Sequence, residues 1–432
     1  MMKHAKQQKM IVQSVVAALA LMAAGSATAS GFQLLEQNGS GLGNAYAGSA
    51  AVSENASTIF FNPAGMTQLP GAQISLGANA VRPSFKFSNG NSANPPAATG
   101  SNGGDAGGWS AIPNFYTSAA LNKDWYIGVG IGAPFGLKTE YDADWAGRFQ
   151  STKFEIKTIN INPSLAYRVN DKLSLGGGLN WQRLDATYER YAAVGVPPFS
   201  SPALNAAAQN TLIQLKVGDD GFGWNIGALL KPSDSMKIGM SYRSQIKYDL
   251  TGNLTSTNQA ISPNTGAKAK ITMPDTFVTS VTQKLDDKWE MLGDISWTGW
   301  HKIQDVDIYR STGGAPAQTL NARFRNTWRV ALGANYQLND AWKIKTGVAY
   351  DQTPVRSADQ RLTSLPDNNR IWFSAGTQWK PTKTATVDVG ASYLYIKKTS
   401  IHNDQTASGR GLVDGTYKGS VFILGAQYSQ AF

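Results

Sequence analysis

Trp342-Lys343-Ile344-Lys345-Thr346-Gly347-Val348-Ala349-Tyr350-Asp351 alternates with a period of two. Trp342, Ile344, Val348 and Tyr350 fall on one face, with Thr346 among them, and Lys343, Lys345, Gly347, Ala349 and Asp351 on the other. A strand sends successive side chains to opposite faces, so this is a strand with one apolar and one polar face. The pattern recurs. Met236, Ile238, Met240 and Tyr242 alternate with Lys237, Gly239, Ser241 and Arg243. Trp125, Ile127, Val129 and Ile131 alternate with Tyr126, Gly128 and Gly130, and Phe422, Leu424, Ala426, Tyr428 and Phe432 share a face up to the chain end. Lipid leaves no backbone polar group a partner, so strands cross it only as a closed barrel, apolar outside and polar within.

The connections between such strands sort by length. Six are short: Leu121–Asp124, Asn170–Lys172, Lys231–Ser235, Leu285–Lys288, Leu338–Ala341 and Lys380–Lys383. Seven are long: Ser88–Ala106, Lys138–Gln150, Ala192–Asn210, Asn253–Ala267, Asp305–Asn321, Gln352–Leu365 and Ile401–Thr416. Long and short alternate throughout. This predicts an all-β, 14-stranded antiparallel transmembrane β-barrel with both chain ends on the short-turn side, the periplasmic side of such barrels. A soluble sandwich has no reason to sort its loops this way.

Outward from the strands, the first 29 residues read as a secretory leader: Lys3, Lys6 and Lys9, an apolar run from Met10 to Ala24, then Ala27-Thr28-Ala29. The apolar run is too short to span a membrane, which needs about 20 residues, and the pattern places Ser30 at the start of the mature chain. Residues 30–70 do not alternate. They are rich in Gly, Ala, Ser and Asn, yet Phe32, Leu34, Leu35, Tyr46, Ile59, Phe60, Phe61 and Met66 are too apolar for a free tail. The reading is a hatch plugging the lumen of a barrel formed by residues 71–432.

Composition bounds the function. The chain has 44 Gly, 12 Trp, 16 Tyr, 16 Phe and no Cys, with a mean hydropathy of −0.27. Without Cys there is no disulfide framework and no thiolate metal site, and no cofactor or metal is expected. The formal net charge is +10, three of it on the leader lysines. The basic residues are scattered, which excludes a nucleic-acid footprint and is compatible with anionic outer-membrane lipid and lipopolysaccharide. An enzyme has little to stand on. Of three His, His4 belongs to the leader, His301 and His402 have no Ser or acid at a motif spacing, and no Gly-x-Ser-x-Gly occurs.

Gly31-Phe32-Gln33-Leu34, Gly41-Leu42-Gly43-Asn44-Ala45-Tyr46-Ala47-Gly48 and Asn62-Pro63-Ala64-Gly65-Met66 resemble the hatch of the FadL family of outer-membrane long-chain fatty acid transporters. Similar segments continue in order: Gly221-Phe222-Gly223-Trp224-Asn225, Tyr242-Arg243-Ser244, Trp328-Arg329-Val330-Ala331-Leu332-Gly333, and Pro366-Asp367-x-x-Arg370-x-Trp372-x-Ser374-x-Gly376. The resemblance implies a plugged fourteen-stranded barrel, acting as a monomer, that passes a hydrophobic small molecule by diffusion. Long-chain fatty acid is the first candidate cargo, aromatic hydrocarbons or alkanes the alternative.

The resemblance also assigns roles. Arg190 falls on the residue that meets the cargo head group; the residues alone read rather as a rim Arg paired with Glu189 or with lipid. The family's fatty-acid members carry a Lys before the strand opening here at Phe324, where this chain has Leu320; either Arg323, three residues on, substitutes for it or the charge clamp is reduced. Phe32 resembles the residue capping the pocket, or is plain plug packing, and Asn62, Pro63 and Ala64 resemble the turn that seats the hatch. The third strand breaks at Gly132-Ala133-Pro134-Phe135-Gly136. Pro and Gly in a strand remove a ladder bond and bend the backbone, and the family uses a kink here as a lateral opening, with Asp351 and Pro354 nearby. The apolar third long loop, with Val194, Val196, Pro197 and Phe199, resembles a groove that captures cargo first.

Overall fold

A computed structural model describes residues 31–93, 100–193 and 201–432. The leader and Val194, Val196, Pro197 and Phe199 lie outside the described residues. The strands are β1 (Ala72–Asn89), β2 (Ser110–Ala120), β3 (Trp125–Gly132 and Gly136–Glu140), β4 (Lys153–Arg168), β5 (Leu173–Tyr191), β6 (Leu212–Ser233), β7 (Met236–Arg243 and Ile246–Ser256), β8 (Thr265–Met273 and Thr276–Lys284), β9 (Trp289–Thr298 and Asp305–Arg310), β10 (Gln318–Asn321 and Thr327–Gln337), β11 (Trp342–Asp351), β12 (Arg370–Trp379), β13 (Ala385–Asp404) and β14 (Leu412–Ala431). Each pairs antiparallel with the next. β1 closes on β14, from Gln73 opposite Ala431 to Asn89 opposite Gly415, so the described sheet has no free edge. This is the closed fourteen-stranded barrel that the alternation predicts.

The face assignments hold along the lower, short-turn part. Trp342, Ile344, Val348 and Tyr350 point outward and are 39–47% exposed, while Lys345, Ala349 and Asp351 are buried toward the lumen. Large outward apolar side chains are what a lipid-facing wall presents. Ile131 departs from the pattern: it is buried against Phe115 and Ile161 where β3 bends. Tilted or stacked aromatic pairs, Trp125–Tyr167, Trp289–Tyr336 and Trp342–Trp379, stand near the short turns, where aromatic girdles meet the membrane interface.

Above this band the wall reverses its polarity. In β5, Leu184 and Tyr188 face inward while Asp185 and Glu189 face out; in β7, Ile246, Tyr248 and Leu250 are buried while Lys247 and Asp249 are exposed. Ala267 and Ala269 of β8, and Ile308 of β9, repeat this with Lys268, Lys270 and Asp305 outside. The long-loop end is therefore a wet-walled cup with an apolar interior. This corrects the loop boundaries. Asp305–Asn321 is not a loop but the outer ends of β9 and β10, paired from Asp305 opposite Asn321 to Ile308 opposite Gln318. β13 and β14 run on through Asp404 opposite Leu412, and β7 and β8 to Leu254 opposite Thr265. These strands alternate, but with charges outward, so they lack the lipid-facing signature.

Breaks mark the change of polarity in five strands: β3 at residues 133–135, β7 at 244–245, β8 at 274–275, β9 at 299–304 and β10 at 322–326. Pro274 lacks the N–H that a ladder needs. β6 pairs with the lower part of β7 up to Asn225 opposite Arg243, and with its upper part from Gly218 opposite Thr251. Residues between those registers follow the bend.

The segment from Gly31 to Leu69 lies against lumen-facing side chains all round the barrel. Lys345 donates to Ser40 O at 3.0 Å, Asn44 to Asn335 Oδ1 at 3.0 Å, and Arg329 Nη2 to Ala45 O at 2.5 Å. Glycine makes two of these approaches possible. A Cβ on Gly239 would lie 1.9 Å from Ala50 O, and one on Gly347 2.2 Å from the Asn44 carbonyl.

Candidate functional site

The apolar interior of the cup leaves about 730 Å³ of empty space, part of it open to solvent, between β4–β10 and the loop before β12. Ile156, Leu184, Leu250, Ile308, Leu320 and Phe324 line it, and no polar surface faces it. Phe32 forms part of its floor. The Phe32 ring meets Trp300 edge-on at 4.8 Å and Phe135 at 6.1 Å, and Trp300 meets Phe324 at 5.9 Å. Such edge-to-face pairs add about 0.5–1.5 kcal/mol each beyond burial. Below this aromatic cluster a second space of about 1,090 Å³ is lined by Leu34, Phe60, Phe61, Pro134, Phe135 and Trp300, but also by Arg243, Arg329, Asp294 and Asp351. The aromatic cluster thus divides a dry upper cavity from a mixed lower one.

Arg190 stands outward of the upper cavity and, like Arg323, is not among its lining residues. On β5 it lies two residues outward of the lining Tyr188, hence on the same face. It is buried, its Nε donating to Gln318 Oε1 at 2.8 Å and its Nη1 to Tyr191 O at 2.9 Å. Glu189 is not its partner; that carboxylate accepts from Gln214 on the outer face. Arg323 is placed differently. It sits in the β10 break at φ +44°, half-exposed, with its Nε 3.6 Å from Asp305, and it lines neither cavity. A non-glycine residue in the left-handed region is strained, and Arg323 N donating to Gln304 O at 2.7 Å helps hold that turn.

The β3 break is filled by the N-terminal segment. Gln33 bridges Phe135 antiparallel, Leu34 N donates to Pro134 O at 2.8 Å and Gly136 N to Phe32 O at 2.8 Å. Gln37 donates to Ala133 O at 2.7 Å, and Phe135 N donates to Thr158 Oγ1 at 3.0 Å. Backbone groups freed by the kink are thus paired with a short strand of the lumen segment. Asp351 is buried and lines the same lower space as Pro134 and Phe135, so the structure brings these three together. Pro354 packs near Gly31 instead. Asn62, Pro63 and Ala64 seat against β5 and β6. Asn62 Nδ2 donates to Ala50 O at 2.7 Å and Ala228 O at 2.9 Å, while its Oδ1 accepts from Ala64 N at 3.1 Å.

The lumen segment carries one carboxyl without a well-formed hydrogen bond. Both oxygens of Glu36 are buried, with only poorly aligned backbone N–H groups beside them. Burial pushes its pKa up to about 7, against the pull of the neighbouring backbone N–H groups of Glu36 and Leu35 and of Arg370 and Arg329. Glu54, on the same segment, is held well below the usual carboxylate range: burial opposes ionisation, but Lys343 and Lys345 outweigh it. Trp300 and Gln318 were not singled out in the sequence. Trp300 lies in the loop-like break of β9, and no periodicity marks it.

A family model described as "Outer membrane protein transport protein (OMPP1/FadL/TodX)" matches residues 20–432. The chain belongs to this family. It is a β-barrel of the Gram-negative outer membrane. Among relatives, the long-chain fatty acid transport protein of Escherichia coli O6:H1 is 30% identical, the match covering 99% of this chain and 100% of that one. The crystal structure of a Pseudomonas aeruginosa FadL homologue superposes with a TM-score of 0.83 at 24% identity, covering 93% of this chain and 99% of the other. The Pseudomonas putida toluene transporter TodX shares the fold at a TM-score of 0.69 and 18% identity, covering 91% and 98%. Members of the OMPP1/FadL/TodX family are thus similar to this chain over nearly its whole length.

Proposed function

We propose that this family member takes up long-chain fatty acids across the outer membrane by passive diffusion. The observation that carries the reading is a wholly apolar cavity with a buried cation, Arg190, two residues outward of its lining Tyr188 and without a carboxylate partner among the described residues. A fatty acid needs both features. At about 0.8 kcal/mol per CH₂, burying a sixteen-carbon tail contributes on the order of 10 kcal/mol. The carboxylate is expensive to bury unpaired, so Arg190 orients the cargo more than it tightens binding. The fatty-acid name of a full-length relative supports the same cargo. Residues 30–70 act as a hatch, with Phe32 over the passage between the cavities. The cargo leaves sideways through the β3 kink once the Phe32–Leu34 strand withdraws. The leader, residues 1–29, directs export, and outer-leaflet lipid and lipopolysaccharide surround a monomeric barrel.

The alternative cargo is an aromatic hydrocarbon or alkane. It is favoured by Arg323, which points away from the cavity and so leaves one expected cation missing. Equilibrium binding of a long-chain acid and its equal-length alcohol separates the two readings. With fatty acid as cargo the acid binds more tightly, and Arg190→Ala removes the difference. Equal binding of acid and alcohol to the unsubstituted protein supports the hydrocarbon reading instead.

A further inference from the structure

We infer that Arg410, at the tip of the β13–β14 hairpin, is the second cation of the head-group site and sets its preference for ionised cargo. This inference rests on the carboxylate-binding reading of Arg190. Arg410 is far from Arg190 in sequence, yet the two grip adjacent residues of one strand end. Arg190 Nε donates to Gln318 Oε1 at 2.8 Å, and Arg410 Nη2 to Ala317 O at 3.2 Å. Arg410 Nη1 donates to Gln405 Oε1 at 3.3 Å, while its Nε is buried and has no acceptor. The side chain is 8% exposed. A buried guanidinium with an unused N–H needs an acceptor.

The surroundings supply none of the right charge. Arg310, two residues outward of the lining Ile308, gives its donors to Pro263 O at 3.1 Å and Ser262 Oγ at 3.1 Å. Arg410 and Arg310 both lie within Coulombic reach of Arg190, and among the described residues none of the three is ion-paired. The stretches outside the described residues contain no Asp or Glu to compensate them. Three cations held together without an acid repel one another unless an anion joins them. The cavity beneath admits only an apolar tail, so the fitting ligand is an amphiphile with an anionic head. Gln150 fixes the hairpin in place, donating to Asn403 O at 2.9 Å and Gly411 O at 3.1 Å, while its own carbonyl accepts from the lining Tyr188. Arg410 is thereby tied to the cavity wall.

The test measures binding of palmitate and hexadecanol to the purified full-length barrel, unsubstituted and as Arg410→Gln, Arg410→Lys, Arg190→Ala and Arg323→Gln. Loss of one charged hydrogen bond corresponds to roughly a tenfold or larger change. Arg410→Gln is expected to lower the acid-to-alcohol affinity ratio by about that factor while hexadecanol binds as before, which also shows that the cavity is intact. Arg410→Lys retains most of the ratio, and Arg323→Gln leaves it unchanged. If Arg190→Ala erases the preference but Arg410→Gln does not, the assignment of Arg410 is wrong and the carboxylate reading stands. If the unsubstituted barrel shows no preference for acid, both fall.

Discussion

Glu36 is the residue whose chemistry is most at odds with its surroundings. Its carboxyl is buried without a well-formed hydrogen bond inside the lumen segment, and burial pushes its pKa up to about 7 from an ordinary 4.5. The folded state therefore holds this proton more tightly than the unfolded chain. The stabilisation is fully present below about pH 4.5 and is lost as the pH rises through about 7. At 1.36 kcal/mol per pKa unit this is on the order of 3 kcal/mol. Denaturant unfolding in detergent should show the barrel less stable at pH 8 than at pH 5, and Glu36→Gln should reduce that slope; an unchanged slope counts against the assignment. Sequence alone could not single out Glu36, because one acid in a Gly-rich stretch carries no sign of its burial. Arg190 was legible only through family resemblance, and Arg410 not at all. Their proximity is made by two strands and a hairpin more than two hundred residues apart.

At the scale of elements, the β3 kink and the short strand that fills it are the features to perturb. Residues bridged across antiparallel strands have Cα atoms about 4.5–5.5 Å apart, within disulfide range. Gln33→Cys with Phe135→Cys should therefore cross-link on oxidation, and the native chain has no Cys to interfere. The oxidised protein is expected to lose uptake of labelled fatty acid in whole cells, and reductant to restore it. Uptake that is equal in both states would exclude withdrawal of this strand as a step. The seat of the lumen segment makes a second prediction. Gly239→Val places a side chain where Ala50 O now lies. Overpacking of this kind costs about 1–3 kcal/mol, and the segment should loosen, raising single-channel conductance in planar bilayers while the barrel band on gels is retained. The kink was readable from Gly132, Pro134 and Gly136, since those residues cannot complete a ladder. The four other breaks were not. Only β8 has a Pro there, and the rest bend where the strand changes the solvent it faces. The same change explains the misjudged loops, because Val306 and Ile308 alternate well but toward the inside.

At the scale of the whole molecule, the fold was legible because lipid imposes a period-two code along the crossing part of each strand. Sidedness was legible in the lengths of the connections. A cysteine at Thr312, beyond β9, should react with an impermeant maleimide on intact cells, and one at Asp340, between β10 and β11, only after lysis. Reaction of both on intact cells would mean the orientation is wrong. The cavities had no such code, because they depend on which inward residues meet across the lumen. The reversal of polarity along the wall has its own consequence for traffic. An oily molecule in the cup is surrounded by oil on the inside. One storey lower, the inside is mixed, with charges on its wall, and the oil lies beyond that wall. A straight descent would carry the tail from solvent it likes into solvent it does not. A sideways step at the seam keeps it in the same medium throughout, so for the proposed route partitioning alone sets the direction of travel, without any source of energy.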